Sequence, residues 1–305
     1  MLSYVIDFDP ARSEPEHPSA VRTVTSLRDG LLASSCWDNI IRIWDTRTGA
    51  ETARLAGHMD SVRSLAALAD GRLASGSDDA TIRLWDVAGL AETARLETGI
   101  DNQLYDWNGV PTGYTRDAVT DLVILPDNLL ASGYFDGTIR IWDVASNRLI
   151  TKISSGAEHV WALALLGDGR LASGSFDKEI RLWNPRTGAE AGFFFGDVGH
   201  FTKLITLPDD QLASNSGDGT IRLWNTDSGQ QAATLAKPAE AFALTPGGKL
   251  VSAAGREIQV WDVPSACVLD GLTVDTAVTC VVSAGAKLIV AGDGNGRLHW
   301  LAIEE

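Results

Sequence analysis

Leu73 to Val87 reads LASGSDDATIRLWDV, and the same phrase returns as LASGYFDGTIRIWDV at 130–144, LASGSFDKEIRLWNP at 171–185 and LASNSGDGTIRLWNT at 212–226. Seven tryptophans carry the period outward: Trp44, Trp85, Trp142, Trp183, Trp224, Trp261 and Trp300, separated by 41, 57, 41, 41, 37 and 39 residues. Self-similarity at such a period is the mark of a repeat architecture. Each unit reads as an apolar strand, a turn such as Leu27-Arg28-Asp29-Gly30, a second strand, a tight Asp-containing turn, a third strand ending in Trp, and a short turn into a fourth. That is a four-stranded antiparallel meander, and six spacings make seven of them.

The Trp-Asp pairs at 44–45, 85–86, 142–143 and 261–262, with Trp-Asn at 183–184 and 224–225 and Trp-Leu at 300–301, resemble the WD-repeat family over Ala20 to Leu301. The resemblance implies an all-β fold, a seven-bladed β-propeller forming a single domain over residues 1–305. The last unit has room for only three strands after its inner one begins, while Leu2 to Phe8 is β-rich. An N-terminal strand that completes the last blade is therefore expected, because an unpaired edge exposes a row of backbone donors and acceptors.

Composition narrows function. Charged residues are 21% and hydrophobic ones 45% of the chain, a balance that buries a sizeable core. No apolar run approaches the ~18 residues a membrane span needs, so no membrane association is expected. A formal charge of -15 works against nucleic acid, whose binding rests on Lys and Arg displacing counterions, and favours a neutral or basic protein or peptide partner. Cys36, Cys267 and Cys280 form no metal-ligand spacing and suit a reducing cytoplasm. No cofactor or metal is expected. Asp293-Gly294-Asn295-Gly296 lacks the further acidic ligands of a calcium loop and reads as a turn.

Ser, His and Asp recur together in a way that invites a catalytic reading. Ten residues before the marker Trp stand Ser34, Ser75, Ser132, Ser173 and Ser214; six before it stand Asp38, Asp79, Asp136, Asp177 and Asp218. His17, His58 and His200 precede the first apolar residue of an inner strand, taken as Val21, Val62 and Leu204, by four, so three units would hold all four groups. The resemblance implies a hydrogen-bonded Trp–Ser–His–Asp chain inside each blade. A motif repeated blade after blade is architecture, whereas catalysis needs one exposed nucleophile beside an oxyanion site, so no catalytic residue is assigned. Arg42, Arg83, Arg140, Arg181 and Arg222 repeat in the same manner and are expected to be solvated or to bridge blades.

Positions that differ between repeats are the place to seek function. The resemblance puts the residues flanking the first apolar position of each inner strand, and the residue before the turn Asp, around the narrow top of the central channel. Those positions supply a partner-binding set of Arg22, Trp37, Arg63, Asp78, Phe135, His159, Trp161, Phe176 and Lys203, with Trp107 added from an insertion over 97–117. That loop carries Tyr105, Trp107 and Tyr114 and is expected to overhang the top face. The leading function is a non-catalytic scaffold or adaptor that binds a protein or peptide there. A small-ligand sensor with 97–117 as lid is the alternative, and an enzyme using Asp78, His159 and Asp293 comes third.

Overall fold

The computed structural model describes residues 5–8, 17–97, 117–195, 201, 203–215, 217–235 and 239–304. They form seven four-stranded antiparallel sheets, running over Val21–Leu55, Val62–Glu97, Val119–Ser154, Ala162–Phe195, Leu204–Leu235, Ala241–Thr273 and Val278–Glu304, the last completed by Val5–Phe8. In the first six blades the strand order is the sequence order, from the inner strand at the channel to the outer strand at the rim; in the seventh, three strands follow that order and Val5–Phe8 is the outermost. This is the seven-bladed propeller the repeats imply. No helix of the described residues is long and apolar enough to cross a membrane.

The second strands explain the sequence most directly. Leu73–Ser77 is buried at every position, because its sheet is covered on both faces by neighbouring blades. Small residues are needed there. A Cβ on Gly76 would lie 2.4 Å from Val119, one on Gly133 2.8 Å from Val160, one on Gly174 2.8 Å from Phe201, and one on Gly292 2.6 Å from Val21. Each contact is made at the start of the next blade's inner strand, by its first residue in Val119 and Val21 and two or three residues before it in Val160 and Phe201. The recurring small residue therefore records a backbone approach that any side chain would block.

The marker tryptophan packs backward. Trp85 lies with Ile41 and Ile43 of the first blade. Trp183 lies with Ile139 and Ile141 of the third, and Trp261 with Ile221 and Leu223 of the fifth. In the seventh blade this place is held by Leu301, which packs on Ile258 and Val260. Trp300 was expected as the seventh marker, but it pairs with Val290 in the ladder and faces forward, against Trp44 and Leu32 of the first blade. A strand's side chains alternate between its faces, so a one-residue offset reverses the direction.

Closure is antiparallel pairing of Val5–Phe8 with Leu301–Glu304, from Val5 opposite Glu304 to Phe8 opposite Leu301. At the same seam Thr279 Oγ1 donates to the Val21 carbonyl at 2.5 Å.

The internal network is complete in one described blade. In the second, Trp85 Nε1 donates to Ser75 Oγ at 2.8 Å, His58 Nε2 meets that hydroxyl at 2.6 Å, and His58 Nδ1 meets Asp79 Oδ2 at 2.8 Å. In the first, Trp44 and His17 reach Ser34 at 2.6 and 2.9 Å, but Asp38 is taken by Arg42 and Cys36, leaving the buried His17 Nδ1 without a partner among the described residues. The third blade replaces histidine with Tyr134, whose hydroxyl lies 3.0 Å from Ser132 under the guanidinium of Arg140. The Trp–Ser bond alone recurs at Ser173, Ser214 and Ser252.

The fifth blade was expected to complete its network through His200. Phe201 donates its amide to the Ser175 carbonyl as Val160 does to Tyr134, so Phe201, and not Leu204, is the counterpart of Val160. His200 thus stands one residue before that position, not four, and itself lies outside the described residues. The repeated arginines are corrected too: they bridge within blades. Arg42, Arg181 and Arg222 reach Asp38, Asp177 and Asp218 at 2.5, 2.5 and 2.7 Å, each four residues back along its own hairpin.

Two expected outcomes follow from this packing. A strand with one neighbour points alternate N–H groups at it, so prolines at both Ile6 and Asp7 remove at least one ladder bond whichever residue donates. The double variant should melt several degrees lower and elute partly as larger species; an unchanged melting temperature and a monomeric profile would refute closure by this strand.

Burial first, and the charge of Arg42 second, hold the His17 imidazole down from 6.5 to about 4. Below 6.5 the unfolded chain takes a proton that native His17 refuses, so stability present above 6.5 is lost as the pH falls to 4. At 1.36 kcal/mol per pH unit the loss is about 3 kcal/mol at most. Denaturant titrations between pH 7 and 4 should show that slope, and His17→Gln should flatten it; equal slopes would refute the assignment.

Candidate functional site

Hairpin topology sorts the turns onto two faces. Inner strands start, and second strands turn into third, on one face; the first and third turns of each blade lie on the opposite face. The bond from Trp161 N to the Gly174 carbonyl has its counterpart in Glu240 N to the Ala253 carbonyl. The first tier of the channel mouth is therefore Arg22, Arg63, Thr120, Trp161, Glu240 and Thr279 among the described residues. One residue further in come Thr23, Ser64, Asp121, Ala162, Lys203, Ala241 and Cys280.

Phe135, His159, Trp161 and Phe176 do come together. Phe135 and Phe176 precede the turn aspartates of the third and fourth blades, and His159 and Trp161 flank Val160 at the start of the fourth inner strand. The Phe135 and His159 rings lie 4.0 Å apart, and Trp161 sits 5.3 Å from both Phe135 and Phe176. His159 Nδ1 donates to the Phe135 carbonyl at 2.5 Å, which locks the imidazole against the turn. Rings this close leave no space for a ligand between them, so the cluster is a continuous surface. Phe176 is 41% exposed. Trp161 Nε1 is buried with no hydrogen-bond partner among the described residues.

Arg63 links this cluster to the second blade: its guanidinium lies 6.0 Å from the Trp161 ring, and its Nε donates to Asp78. Burial pushes the Asp78 carboxyl up, against the pull of Arg63 and Arg22. Arg22 in turn lies 4.1 Å over the ring of Trp37, itself 51% exposed. The residues so joined form a strip from Trp37 through Arg22, Asp78 and Arg63 to Trp161 and Phe176.

Lys203 stands apart from that strip. Counting from Leu204 places it at the mouth, but the register puts it one step inside, on the channel wall. The channel has a volume of about 610 Å³. Trp107, with Tyr105 and Tyr114, belongs to residues 98–116, which lie outside the described residues.

Counting from apolar residues also missed Asp121 and Glu240. Asp121 accepts from Ser64 Oγ at 3.1 Å, from its neighbour Leu122 N at 2.9 Å and from Leu163 N at 2.9 Å, tying the second, third and fourth blades together. Burial pushes its carboxyl up, opposed by the charge of Lys203. A lone aspartate in the inner strand Val119–Leu125 was the available signal.

The three residues proposed for catalysis are each engaged elsewhere. Asp78 holds Arg63, His159 holds a backbone carbonyl, and buried Asp293 accepts from His299 Nε2 at 2.9 Å and from the amides of Asn295 and Arg297. Asp275, Asp293 and His299 bring three possible metal-ligand atoms within 4.8 Å of one another, but Asp275 pairs with Arg297 at 2.8 Å.

The sequence profile described as WD domain, G-beta repeat matches residues 8–45, 49–86, 108–143, 149–184 and 197–225, more than half of the chain. The matched stretches end before the sixth blade, where the turn Asp is missing, and the seventh, where the marker is displaced. No curated protein matches. Propellers of this kind commonly serve as protein-interaction scaffolds, and they are generally non-catalytic. Profile, blade geometry and the Trp–Ser bonds agree: the chain belongs to the WD domain, G-beta repeat family.

Proposed function

We propose that this protein is a non-catalytic scaffold whose top face binds a peptide or protein segment, neutral or basic in charge, in the cytoplasm. The observation that carries the reading is the continuous surface of Phe135, His159, Trp161 and Phe176, joined through Arg63 and Asp78 to the stacked pair Arg22 and Trp37. Blade closure does not need aromatics at those positions, since the equivalent residues elsewhere are Thr120, Gly217 and Thr279. Large rigid rings offer contact area with little side-chain entropy to lose, which suits them to anchor a partner. The formal charge of -15 favours basic over acidic segments through long-range attraction. Free Cys36, Cys267 and Cys280 are compatible with a reducing compartment.

A peptide selected against the full chain from a random display library, then titrated by calorimetry, provides the test. Trp37→Ala and Phe176→Ala remove exposed rings, so each should weaken binding about tenfold or more, at least 1.4 kcal/mol, with melting shifted little. Trp161→Ala should lower both affinity and stability, because that ring is packed by its neighbours. Phe193→Ala, on the outer strand of the fourth blade and 58% exposed, should change neither. Selected peptides whose affinity survives the first three changes would place the binding surface elsewhere.

A further inference from the structure

On the opposite face, gaps between blades are bridged by an arginine with a repeated geometry. In the second blade Arg72 Nε is held by Asp70 at 2.8 Å, and its Nη2 donates at 2.9 Å to the carbonyl of Val144 in the third blade. In the fourth blade Arg170 Nε is held by Asp168, and its Nη2 donates at 3.0 Å to the carbonyl of Thr226 in the fifth. Val144 and Thr226 each stand two residues after a marker tryptophan. The second and fourth blades thus use one device: a turn arginine that spans the gap and caps a carbonyl of the next blade.

The first blade has a turn of the same length without the arginine. Leu27 N donates to the Leu31 carbonyl at 2.9 Å, as Leu68 N does to Arg72 and Leu166 N to Arg170, both at 2.8 Å, so Leu31 occupies the arginine's place. Across the gap, Val87 is the counterpart of Val144 and Thr226. Arg28 does cross, but its guanidinium goes to the Ala69 carbonyl and not to Val87. A cavity of about 580 Å³ lies here, with Leu27, Leu31 and Val87 among its apolar walls and Asp29, Asp70 and Asp86 around it. Arg28 and Arg72 line it too, the first engaged by the Ala69 carbonyl and the second by Asp70 and the Val144 carbonyl.

We propose that this cleft between the first and second blades receives an arginine side chain from a partner segment, which does in trans what Arg72 and Arg170 do in cis. Leu27 and Leu31 offer a surface for the aliphatic stem, while the Val87 carbonyl and the carboxylates of Asp29 and Asp86 accept from the guanidinium. Arginine suits the site better than lysine because a planar fork can reach a carbonyl and a carboxylate at once. The cavity is larger than one side chain, so flanking backbone enters as well. The site lies on the face away from the aromatic strip, and the inference does not rest on the function proposed for that strip.

The test is an amide-shift titration of the ¹⁵N-labelled full chain with acetyl-Ala-Arg-Ala-amide and with the same peptide carrying citrulline, which has the shape of arginine without its charge. The arginine peptide should move the Leu31, Val87 and Ala88 signals saturably, and the citrulline peptide should bind at least tenfold more weakly. Leu31→Arg supplies the guanidinium from the chain itself, so it should abolish the shifts and raise the melting temperature. Asp29→Asn with Asp86→Asn, at exposed carboxylates, should weaken the peptide at least threefold and serves if Leu31→Arg does not fold. The proposal is overturned by absent or unsaturable shifts, by equal binding of citrulline, or by undiminished binding to Leu31→Arg or to the double Asn variant.

Discussion

Everything in this molecule depends on one sheet lying close against the next. A four-stranded sheet has two faces and here buries both, so the first six blades present aliphatic side chains forward and a tryptophan backward, and the seventh presents Trp300 forward and Leu301 backward. The contact is tight enough that Gly76, Gly133, Gly174 and Gly292 meet a neighbouring inner strand where a Cβ would not fit. Close packing of this kind gains dispersion and excludes water along every seam, and no blade obtains it alone. The ring must therefore close, and Val5–Phe8 pairing with Leu301–Glu304 joins the chain's two ends across the last sheet.

Such packing sets the polar chemistry of the interior. A buried indole N–H needs an acceptor, and the second strand supplies a serine for it in blades one to six. What lies beyond that serine is free to vary: His58 and Asp79 in one blade, His17 in another, Tyr134 in a third. Groups that resemble catalytic machinery on paper are thereby consumed in holding turns to strands. His17 shows the cost, since burial beside Arg42 keeps it neutral far into the acid range.

Blade number and strand order were legible because each leaves a periodic trace in sequence, and the closing strand because Leu2 to Phe8 is β-rich outside the repeats. Legibility failed where a face or a register had to be inferred from one residue. Trp300 looks like a marker, yet strand pairing turns it forward and gives its place to Leu301. Leu204 looks like the position that opens the mouth of its blade, yet the bond from Phe201 to Ser175 puts that position three residues earlier and Lys203 inside the channel. Apolar character alone does not say which end of a strand begins the ladder. The aromatic set was readable because it breaks the repeat in neighbouring units, and proximity of Phe135 to Trp161 needs only that the third and fourth blades touch. Asp121 was missed because its function is to join three blades, which no single repeat records.

Repetition also separates what a position must do from what it happens to do. Leu31 is an unremarkable turn residue when seen alone; beside Arg72 and Arg170, held in the same backbone register, it is an omission. Phe135 and Phe176 are informative for the converse reason, being large where Gly217 shows that nothing large is needed. Both proposed sites are read from departures, one by a missing side chain and one by added rings, and they fall on opposite faces because successive hairpin turns alternate between them. A ring of packed blades fixes those faces rigidly relative to each other. Two segments bound to one molecule, or two parts of one partner wrapped across its rim, would therefore be held at a constant separation, which is the mechanical property a scaffold requires.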